Sequence, residues 1–273
     1  MRQRAIAGFS LLAIGIYPIS AGGLPYLAII LILLIIAAWE YARLFQAAGF
    51  RPATYLILAA VAAFLVTRHF SPDPLKWDSL IISVFILLAM TIHLIDYERG
   101  AKFSGTDFAI TLSGGLYLGF LGGYLIPLRH LPDGVWWFLA TLPAVWLSDS
   151  GAYFVGRSLG KRKMSPRLSP KKTWEGYAGG VLFGTLGNAL LCLAWQASPA
   201  APEALTPLNG ALLGLVLSLL TPLGDLGQSM IKRQVGIKDS GNILPGHGGI
   251  FDRMDSWIWA GALGYYLITW FFI

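Results

Sequence analysis

The chain has 273 residues, of which 56% are hydrophobic and only 12% are charged. Soluble domains usually carry about 25% charged residues, so this composition excludes an ordinary water-soluble domain and indicates a membrane protein. The net charge of +6 suits basic cytoplasmic loops beside anionic lipid, and we expect no nucleic acid partner. The single cysteine, Cys192, excludes a disulfide framework and a cysteine-based zinc site.

Successive apolar runs predict an all-α polytopic integral membrane protein with nine transmembrane helices, because the chain lacks the short polar and apolar alternation of a membrane barrel. Arg2 and Arg4 before the first run also resemble a signal peptide, but the second run begins almost at once and favours a helical hairpin. The predicted spans, in chain order, are 6–20, 24–38, 53–67, 79–95, 108–126, 135–155, 177–196, 209–223 and 257–272.

The distribution of Lys and Arg predicts a cytoplasmic N-terminus. If the very basic loop 156–176 lies in the cytoplasm, only Arg68, Lys76 and Arg129 among the 20 Lys and Arg residues lie outside. The polar residues gather in the second half of the chain. We therefore predict N-terminal transmembrane helices at 1–107 that serve lipid access and dimer contacts. A catalytic transmembrane region would follow at 108–273, with cytoplasmic loops 156–176 and 224–256 and its active site at the cytoplasmic face.

Two polar stretches precede the most informative one. Asp149 lies near the cytoplasmic end of the sixth predicted span, where an acid is costly and so has either an ion-pair partner such as Arg157 or a task. In the following loop, Lys171 and Lys172 precede Thr173, which with Ser169 is a candidate cap for the next helix. Its cations suit phosphate, although a basic loop that only sets topology is the alternative.

The stretch 224–256 has the residue types that bind Mg²⁺ and phosphate. On a helix, the spacing of Asp225, Ser229, Lys232 and Arg233 places an acid, a hydroxyl and two cations on one face. Further on, the glycine-rich run 245–249 permits close backbone approaches and suits an extended phosphate chain. Within that run His247 is either a phosphate donor or proton-transfer group, or a hydrogen-bonded loop histidine.

Asp252 and Asp255 stand three residues apart, so on a helix their carboxylates lie on the same side, with Arg253 beside them. Mg²⁺ takes one or two carboxylates together with substrate phosphates and water, and Asp225, Asp252 and Asp255 meet that need. The alternative is a surface network in which these acids and Asp239 neutralise nearby cations, but it does not explain the glycine-rich run.

From Ser229 to Asp255 the sequence resembles the C-terminal signature of the phosphatidate cytidylyltransferases, also called CDP-diacylglycerol synthases. That signature consists of Ser-x-x-Lys-Arg, a Lys-Asp pair, His-Gly-Gly, Asp-Arg and a final Asp. The resemblance extends to 149–153 and 169–176, whereas the first half is similar only in being hydrophobic and multi-spanning. The matching signature residues are Ser229, Lys232, Arg233, Lys238, Asp239, His247, Gly248, Gly249, Asp252, Arg253 and Asp255.

The resemblance implies transfer of CMP from CTP to phosphatidate (phosphatidic acid) with Mg²⁺, giving CDP-diacylglycerol and pyrophosphate. It makes Asp225 and Asp252 the leading metal ligands, with Asp255 and Asp149 as further ligands for one or two metal ions. We predict catalytic roles for Asp225, Asp252, Lys232 and Lys238. The predicted substrate-binding residues are Ser229, Arg233, His247, Gly248, Gly249, Arg253, Lys171 and Lys172.

The resemblance also predicts a homodimer in contact with membrane lipid, in the bacterial inner membrane, with a eukaryotic organelle as the alternative. Three other functions fit parts of the sequence. A CTP-dependent polyprenol kinase would move the γ-phosphate to a lipid alcohol, and an ion-coupled transporter would line a path through the membrane with acids. A purely structural membrane protein would use the same acids for assembly alone. Agreement with the whole signature favours the cytidylyltransferase.

Overall fold

A computed structural model describes residues 17–241 and 248–273, which are mostly helical. They form two compact units. The first contains the described residues up to Pro127 and those of Gln234–Met254, and the second contains Leu128–Arg233 and Asp255–Ile273. The predicted boundary between residues 107 and 108 divides the chain by role, with lipid access before it and catalysis after it. The two compact units do not test such a division, so it stays a prediction.

The first unit is built from apolar helices whose buried side chains form its core. These include Tyr26 and Leu34 from the first helix, Phe64 from the second and Phe85 from the third. The elements in chain order are α1 (Gly23–Ala47), α2 (Thr54–Phe70), α3 (Asp78–Glu98), α4 (Ser104–Gly114), a π-helical turn (Gly115–Leu121), a 3-10 turn (Gly122–Tyr124) and α5 (Leu125–His130), which ends in the second unit.

Glycines allow the end of α4 and the π-helical turn to pack closely on neighbouring helices. A Cβ at Gly114 would lie 2.6 Å from the Tyr41 ring of α1, and one at Gly115 would collide with the Phe85 ring of α3. Small residues of this kind let helix backbones approach in a membrane. The predicted span 108–126 is one continuous helical stretch, in which α-helical, π-helical and 3-10 hydrogen bonding follow one another.

Arg68 at the end of α2 is completely buried and bound by Asp78 at the start of α3. Its Nη2 lies 2.7 Å from Oδ2 and its Nε 3.1 Å from Oδ1 of Asp78. Its Nη1 also donates to the Phe120 carbonyl oxygen at 2.8 Å. Because the whole guanidinium is bound in this way, the pair connects α2, α3 and the π-helical turn.

Replacing Arg68 with Ala is expected to lower the free energy of unfolding by about 3–5 kcal/mol, since it leaves the Asp78 carboxylate buried without its partner. Unfolding in mixed micelles measures the change. Lys76→Ala is the matched control, because Lys76 is an exposed cation in the connection between α2 and α3. The free energy of unfolding of this variant should stay within about 0.5 kcal/mol of wild type. Equal stability of the two variants would contradict a structural role for the Arg68–Asp78 pair.

The second unit contains the remaining helices and a short hairpin. Its helices α6, α7 and α8 pack through small residues: a Cβ at Gly151 would collide with Phe183, and one at Gly184 with Ser218. The elements in chain order are α6 (Gly134–Leu159), β1 (Lys163–Ser165), β2 (Ser169–Thr173), α7 (Trp174–Trp195), α8 (Pro207–Leu220), α9 (Pro222–Gln234) and α10 (Phe251–Phe271), which belongs to this unit from Asp255 onward.

Within the predicted loop 156–176, β1 and β2 form an antiparallel hairpin that the sequence analysis did not predict. The two ends of that predicted loop are helical, since α6 continues to Leu159 and α7 begins at Trp174. The Glu175 carboxylate accepts backbone hydrogen bonds from Lys161 and Arg162 at 3.0 to 3.2 Å and so fixes the chain that enters the hairpin. The predicted cap at Thr173 is confirmed, because its Oγ1 accepts from the Gly176 amide at 3.1 Å and begins α7. The hairpin thus has a defined path into the next helix.

Within the described ranges, five helical stretches are long and apolar enough to cross a membrane, and the chain is a multi-pass integral membrane protein. Helix α2 is apolar but shorter. Predicted spans 135–155 and 257–272 are helical as α6 and α10 but are not among the five, and predicted span 6–20 lies mostly outside the described residues. Nine spans and their orientation stay predictions. The five stretches are Gly23–Ala47, Asp78–Glu98, Ser104–His130, Trp174–Trp195 and Pro207–Gln234.

Candidate active site

In the second unit, one helix carries the acid, hydroxyl and two cations whose spacing predicted a common face. Asp225, Ser229, Lys232 and Arg233 all lie on α9. The Ser229 hydroxyl lies 3.5 Å from Asp225 Oδ1, at the outer limit for a hydrogen bond. The structure meets the condition on which the common face depended, because all four residues are helical, and their proposed contacts with substrate stay predictions.

Lys172, at the end of the hairpin, reaches Asp225. Its Nζ lies 2.5 Å from Asp225 Oδ2, and the two side chains are 30% and 38% exposed. A pair this accessible contributes at most about 1 kcal/mol to stability, because solvent screens both charges. The contact brings the end of the hairpin and helix α9 together at an ion pair that an anionic ligand can reach. Much of the predicted loop 224–256 is helical, as α9 up to Gln234 and as α10 from Phe251 onward.

Asp255 lies beside this pair because α10 packs against the start of α9. A Cβ at Gly224 would be 2.7 Å from the Asp255 carbonyl oxygen, so only glycine allows this approach. Asp255 precedes the predicted span 257–272, and its pKa is raised to about 7 by burial and then by the negative charges of Asp225 and Asp149, against the opposing effect of Lys172. We call Asp149, Asp225 and Asp255 the carboxylate cluster.

The carboxylate cluster suits a divalent cation that substrate helps to bind. In the part of the chain that the structure describes, no group of three or more Asp, Glu, His or Cys side chains is arranged to hold a metal ion by itself. Mg²⁺ needs only one or two carboxylates when phosphate and water oxygens complete its shell. The pKa of Asp255 is raised first by burial and then by the negative charge of Asp225, and a bound cation would offset both effects.

In the first unit, Asp252 holds the two ends of the glycine-rich segment. Its Oδ2 accepts hydrogen bonds from the Ser240 amide at 2.9 Å and the Gly249 amide at 3.1 Å, and it also lies 3.0 Å from the Ser240 hydroxyl oxygen. These bonds connect the residues on either side of 242–247. Residues 242–247, which include His247, lie outside the described ranges. Asp252 therefore has an organising role in the structure, and its predicted metal binding stays a prediction.

The two described signature glycines both occupy positions that a side chain would disturb. Gly248 has a φ of +82°, and a Cβ there would also lie 2.8 Å from Asp252 Oδ2. A Cβ at Gly249 would collide with the Ser240 hydroxyl and with the Glu40 carboxylate. The special conformation and close approach expected of these glycines are confirmed. Their role in binding phosphate stays a prediction.

The other predicted phosphate-binding cations lie at the surface of their own units. Lys171, Arg233, Lys238 and Arg253 are exposed, and Lys232 is half-buried. Side chains in these positions are accessible to a phosphate group that arrives from water, and Arg can bind phosphate through two parallel hydrogen bonds. Their assignments to CTP or to a lipid headgroup remain predictions.

The sequence analysis missed Glu40 and Ser240. Glu40 is only 1% exposed near the C-terminal end of α1, and its Oε2 accepts hydrogen bonds from the Ser240 hydroxyl and from the Phe251 amide. The sequence did contain a signal, because Glu40 is an acid that closely follows an apolar run. An acid in or near the membrane is costly, so it usually has a partner or a task.

A multi-pass helical membrane protein with clustered carboxylates and accessible cations has the features of a membrane enzyme that acts on phosphate groups. The model of the Cytidylyltransferase family matches residues 2–271, and the chain belongs to that family. It is therefore a cytidylyltransferase, and the resemblance found in its signature residues is confirmed.

Three curated relatives, each named phosphatidate cytidylyltransferase, are similar to this chain over most of their length. The protein from Bacillus subtilis is 34% identical, with 99% of this chain and 98% of the relative covered. The protein from Synechocystis is 32% identical, with 98% and 96% covered. The protein from Pseudomonas aeruginosa is 36% identical, with 94% and 92% covered.

Proposed function

We propose that this chain transfers CMP from CTP to phosphatidate and so makes CDP-diacylglycerol and pyrophosphate for phospholipid synthesis. The observation that carries the proposal is the family match over residues 2–271, supported by the name that its relatives share. The carboxylate cluster and accessible cations add chemical support, because nucleotidyl transfer depends mainly on positioning and on neutralising phosphate charge.

In the reaction, an oxygen of the phosphatidate phosphate forms a bond to the α-phosphorus of CTP. The bond from that phosphorus to the oxygen leading to the β-phosphorus breaks, and pyrophosphate leaves with the electron pair. The phosphatidate phosphate is already anionic near neutral pH, so no strong general base is required. The task of the protein is to align the two phosphates and to offset their repulsion, for which we propose Lys232, Arg233, Lys238 and Arg253.

The Lys172–Asp225 pair fits a role in binding the nucleotide. An incoming triphosphate would compete with Asp225 for the Lys172 ammonium, which the ion pair holds 2.5 Å from the carboxylate. Lys171 is exposed beside it and is proposed to contact the nucleotide or the lipid headgroup. Binding of substrate would then leave Asp225 available for a cation.

We propose that Asp225 and Asp255 of the second unit hold one or two Mg²⁺ ions, with Asp149 as a further ligand. Asp252 of the first unit, which the resemblance also makes a leading ligand, stays a proposed metal ligand. A Mg²⁺ ion bound by these carboxylates would supply positive charge that offsets the charge of the phosphates. The donor set suits this ion because it consists of carboxylate oxygens, which hard divalent cations prefer.

We propose that the reaction takes place at the cytoplasmic surface of a bacterial inner membrane, where CTP arrives from water and the lipid tails stay in the bilayer. Residues 1–107 would provide lipid access and the contacts of a homodimer. The apolar helices of that region support lipid contact, since they expose large hydrophobic side chains such as Leu80, Leu87 and Leu94 of α3.

Label transfer tests this function. Purified protein in mixed micelles receives phosphatidate and CTP labelled at either the α- or the γ-phosphorus, with Mg²⁺ or with EDTA. We expect the α-label to enter lipid and the γ-label to appear in soluble pyrophosphate, both only with Mg²⁺. Transfer of the γ-label to an added polyprenol would support the kinase instead. Absence of transfer from either label, with the protein folded, would contradict the proposal.

A further inference from the structure

Glu40 connects α1 to the described residues 240–241 and 248–252, which we call the signature segment, although 200 residues separate it from Ser240. Its Oε2 lies 3.0 Å from the Ser240 hydroxyl and 2.8 Å from the Phe251 amide, which donates to it. Phe251 is the first residue of α10 and directly precedes Asp252. One carboxylate therefore binds the segment at two points on either side of the glycine-rich run.

Two glycines of the segment approach Glu40 so closely that a side chain would not fit. A Cβ at Gly241 would collide with Glu40 Oε1, and a Cβ at Gly249 would collide with Glu40 Oε2. The backbone thus packs directly on the carboxylate, with no side chain between them. This close packing limits the positions that the backbone can take beside α1.

Ser240 joins Glu40 to Asp252. Its hydroxyl oxygen is 3.0 Å from Glu40 Oε2 and 3.0 Å from Asp252 Oδ2, and one hydroxyl has only one proton to donate. The same Asp252 oxygen also accepts from the amides of Ser240 and Gly249. A change at Glu40 would therefore reach Asp252 through a shared hydrogen-bond network.

The cost of burying Glu40 indicates that this contact has a function. The residue is 1% exposed on a helix long and apolar enough to cross a membrane, where an acid is expensive and usually has a partner or a task. Among the described residues its partners are the Ser240 hydroxyl and the Phe251 amide, neither of which is a cation. The charge is thus placed where it organises the segment that contains Asp252.

We propose that Glu40 is a positioning residue that holds the signature segment, and through it Asp252, in the arrangement needed for cytidylyl transfer. The inference rests on the proposed function of the chain. Glu40 acts through Ser240 and Phe251 and needs no contact with the reacting atoms. What matters is an acceptor oxygen at the position of Oε2, more than the negative charge.

Three substitutions separate positioning from other roles. Glu40→Gln keeps an oxygen acceptor at the same length and is expected to retain kcat within about threefold of wild type. Glu40→Asp is shorter by one methylene group and Glu40→Ala has no acceptor, so both should lower kcat by about 10- to 100-fold, with a smaller change in KM for CTP. A Gln variant as inactive as the Ala variant would overturn the positioning role, because charge would then be essential.

Tyr26→Phe is the matched control on the same helix. Tyr26 is buried, and its hydroxyl donates to the Leu125 carbonyl oxygen at 2.8 Å, away from the signature segment. Its loss should lower the melting temperature and leave kcat per folded molecule at the wild-type value. Should Glu40→Ala behave in the same way, with normal kcat and reduced stability only, Glu40 would be merely structural and the proposal would be wrong.

Hydrogen exchange at 248–252 provides a measurement that does not depend on activity. Glu40→Ala should speed exchange of the Phe251 amide by about tenfold or more, because that amide loses a bond to a carboxylate. If the wild type transfers no label, the proposed function is wrong, and hydrogen exchange alone then tests whether Glu40 positions the segment. Faster exchange in the Ala variant, or in the Asp variant if the Ala variant does not fold, supports positioning by Glu40, and unchanged exchange overturns it.

Discussion

Asp225→Asn is expected to lower kcat/KM for cytidylyl transfer by about 100-fold or more while the protein stays folded. Asn has nearly the same size as Asp but lacks the charge that binds Lys172 and that we propose binds Mg²⁺. Stability should change little, because the Lys172–Asp225 pair is partly exposed and screened by solvent. Initial rates with varied CTP, together with melting temperature, measure the two effects separately.

Glu203→Gln is the matched control for this change. It also converts an acid to its amide within the second unit, but Glu203 is exposed in the connection between α7 and α8. It should keep both wild-type activity and stability. An Asp225→Asn variant that retains activity within about threefold of this control would show that Asp225 supplies no essential charge to the reaction.

The helical elements of the site were predictable because their signals are local. The spacing of Asp225, Ser229 and Lys232 predicted a common face if the segment is helical, and α9 contains all three. Likewise, the spacing of Asp252 and Asp255 was read for the case of a helix, and both lie in the first two turns of α10. Neighbours along a helix are determined by its repeat, so no knowledge of tertiary packing was needed.

The contacts between distant segments were not predictable in the same way. Lys172 was predicted to bind substrate, but its partner Asp225 lies on another element, and nothing in the sequence paired the two. Glu40 was overlooked because its partners are a backbone amide and a serine hydroxyl, which have no charge pattern to match. The hairpin was missed because Ser165-Pro166 and Ser169-Pro170 indicate bends in the chain but do not indicate that Lys163 pairs with Thr173 across two strands.

Stabilisation of the protein by Mg²⁺ is expected to weaken as the pH falls through about 7. The pKa of Asp255 is raised from its ordinary value of 3.8 to about 7 by burial and by the charges of Asp225 and Asp149. A carboxylate must be ionised to bind a cation, so protons compete with Mg²⁺ below this pH. The apparent affinity for Mg²⁺ should fall by about tenfold per pH unit where binding displaces one proton.

Without metal, the contribution of Asp255 to the free energy of unfolding changes with pH in the opposite direction. Because the pKa of Asp255 is higher in the folded state, the folded protein binds more protons than the unfolded chain between about pH 4 and 7. Asp255 therefore lowers the free energy of unfolding as the pH rises through this interval. A bound cation removes that penalty, so the increase in melting temperature on adding Mg²⁺ should be larger at pH 8 than at pH 6.

Asp255→Asn should give a small Mg²⁺-induced increase in melting temperature that no longer changes around pH 7, whereas Glu203→Gln should behave as wild type. Sodium chloride at equal ionic strength controls for screening. Asp225→Asn provides a further check, because removing that negative charge lowers the pKa of Asp255 and should move the remaining pH dependence to lower pH. An Mg²⁺ effect of the same size at pH 6 and 8 in wild type would exclude Asp255 as a ligand whose ionisation controls binding.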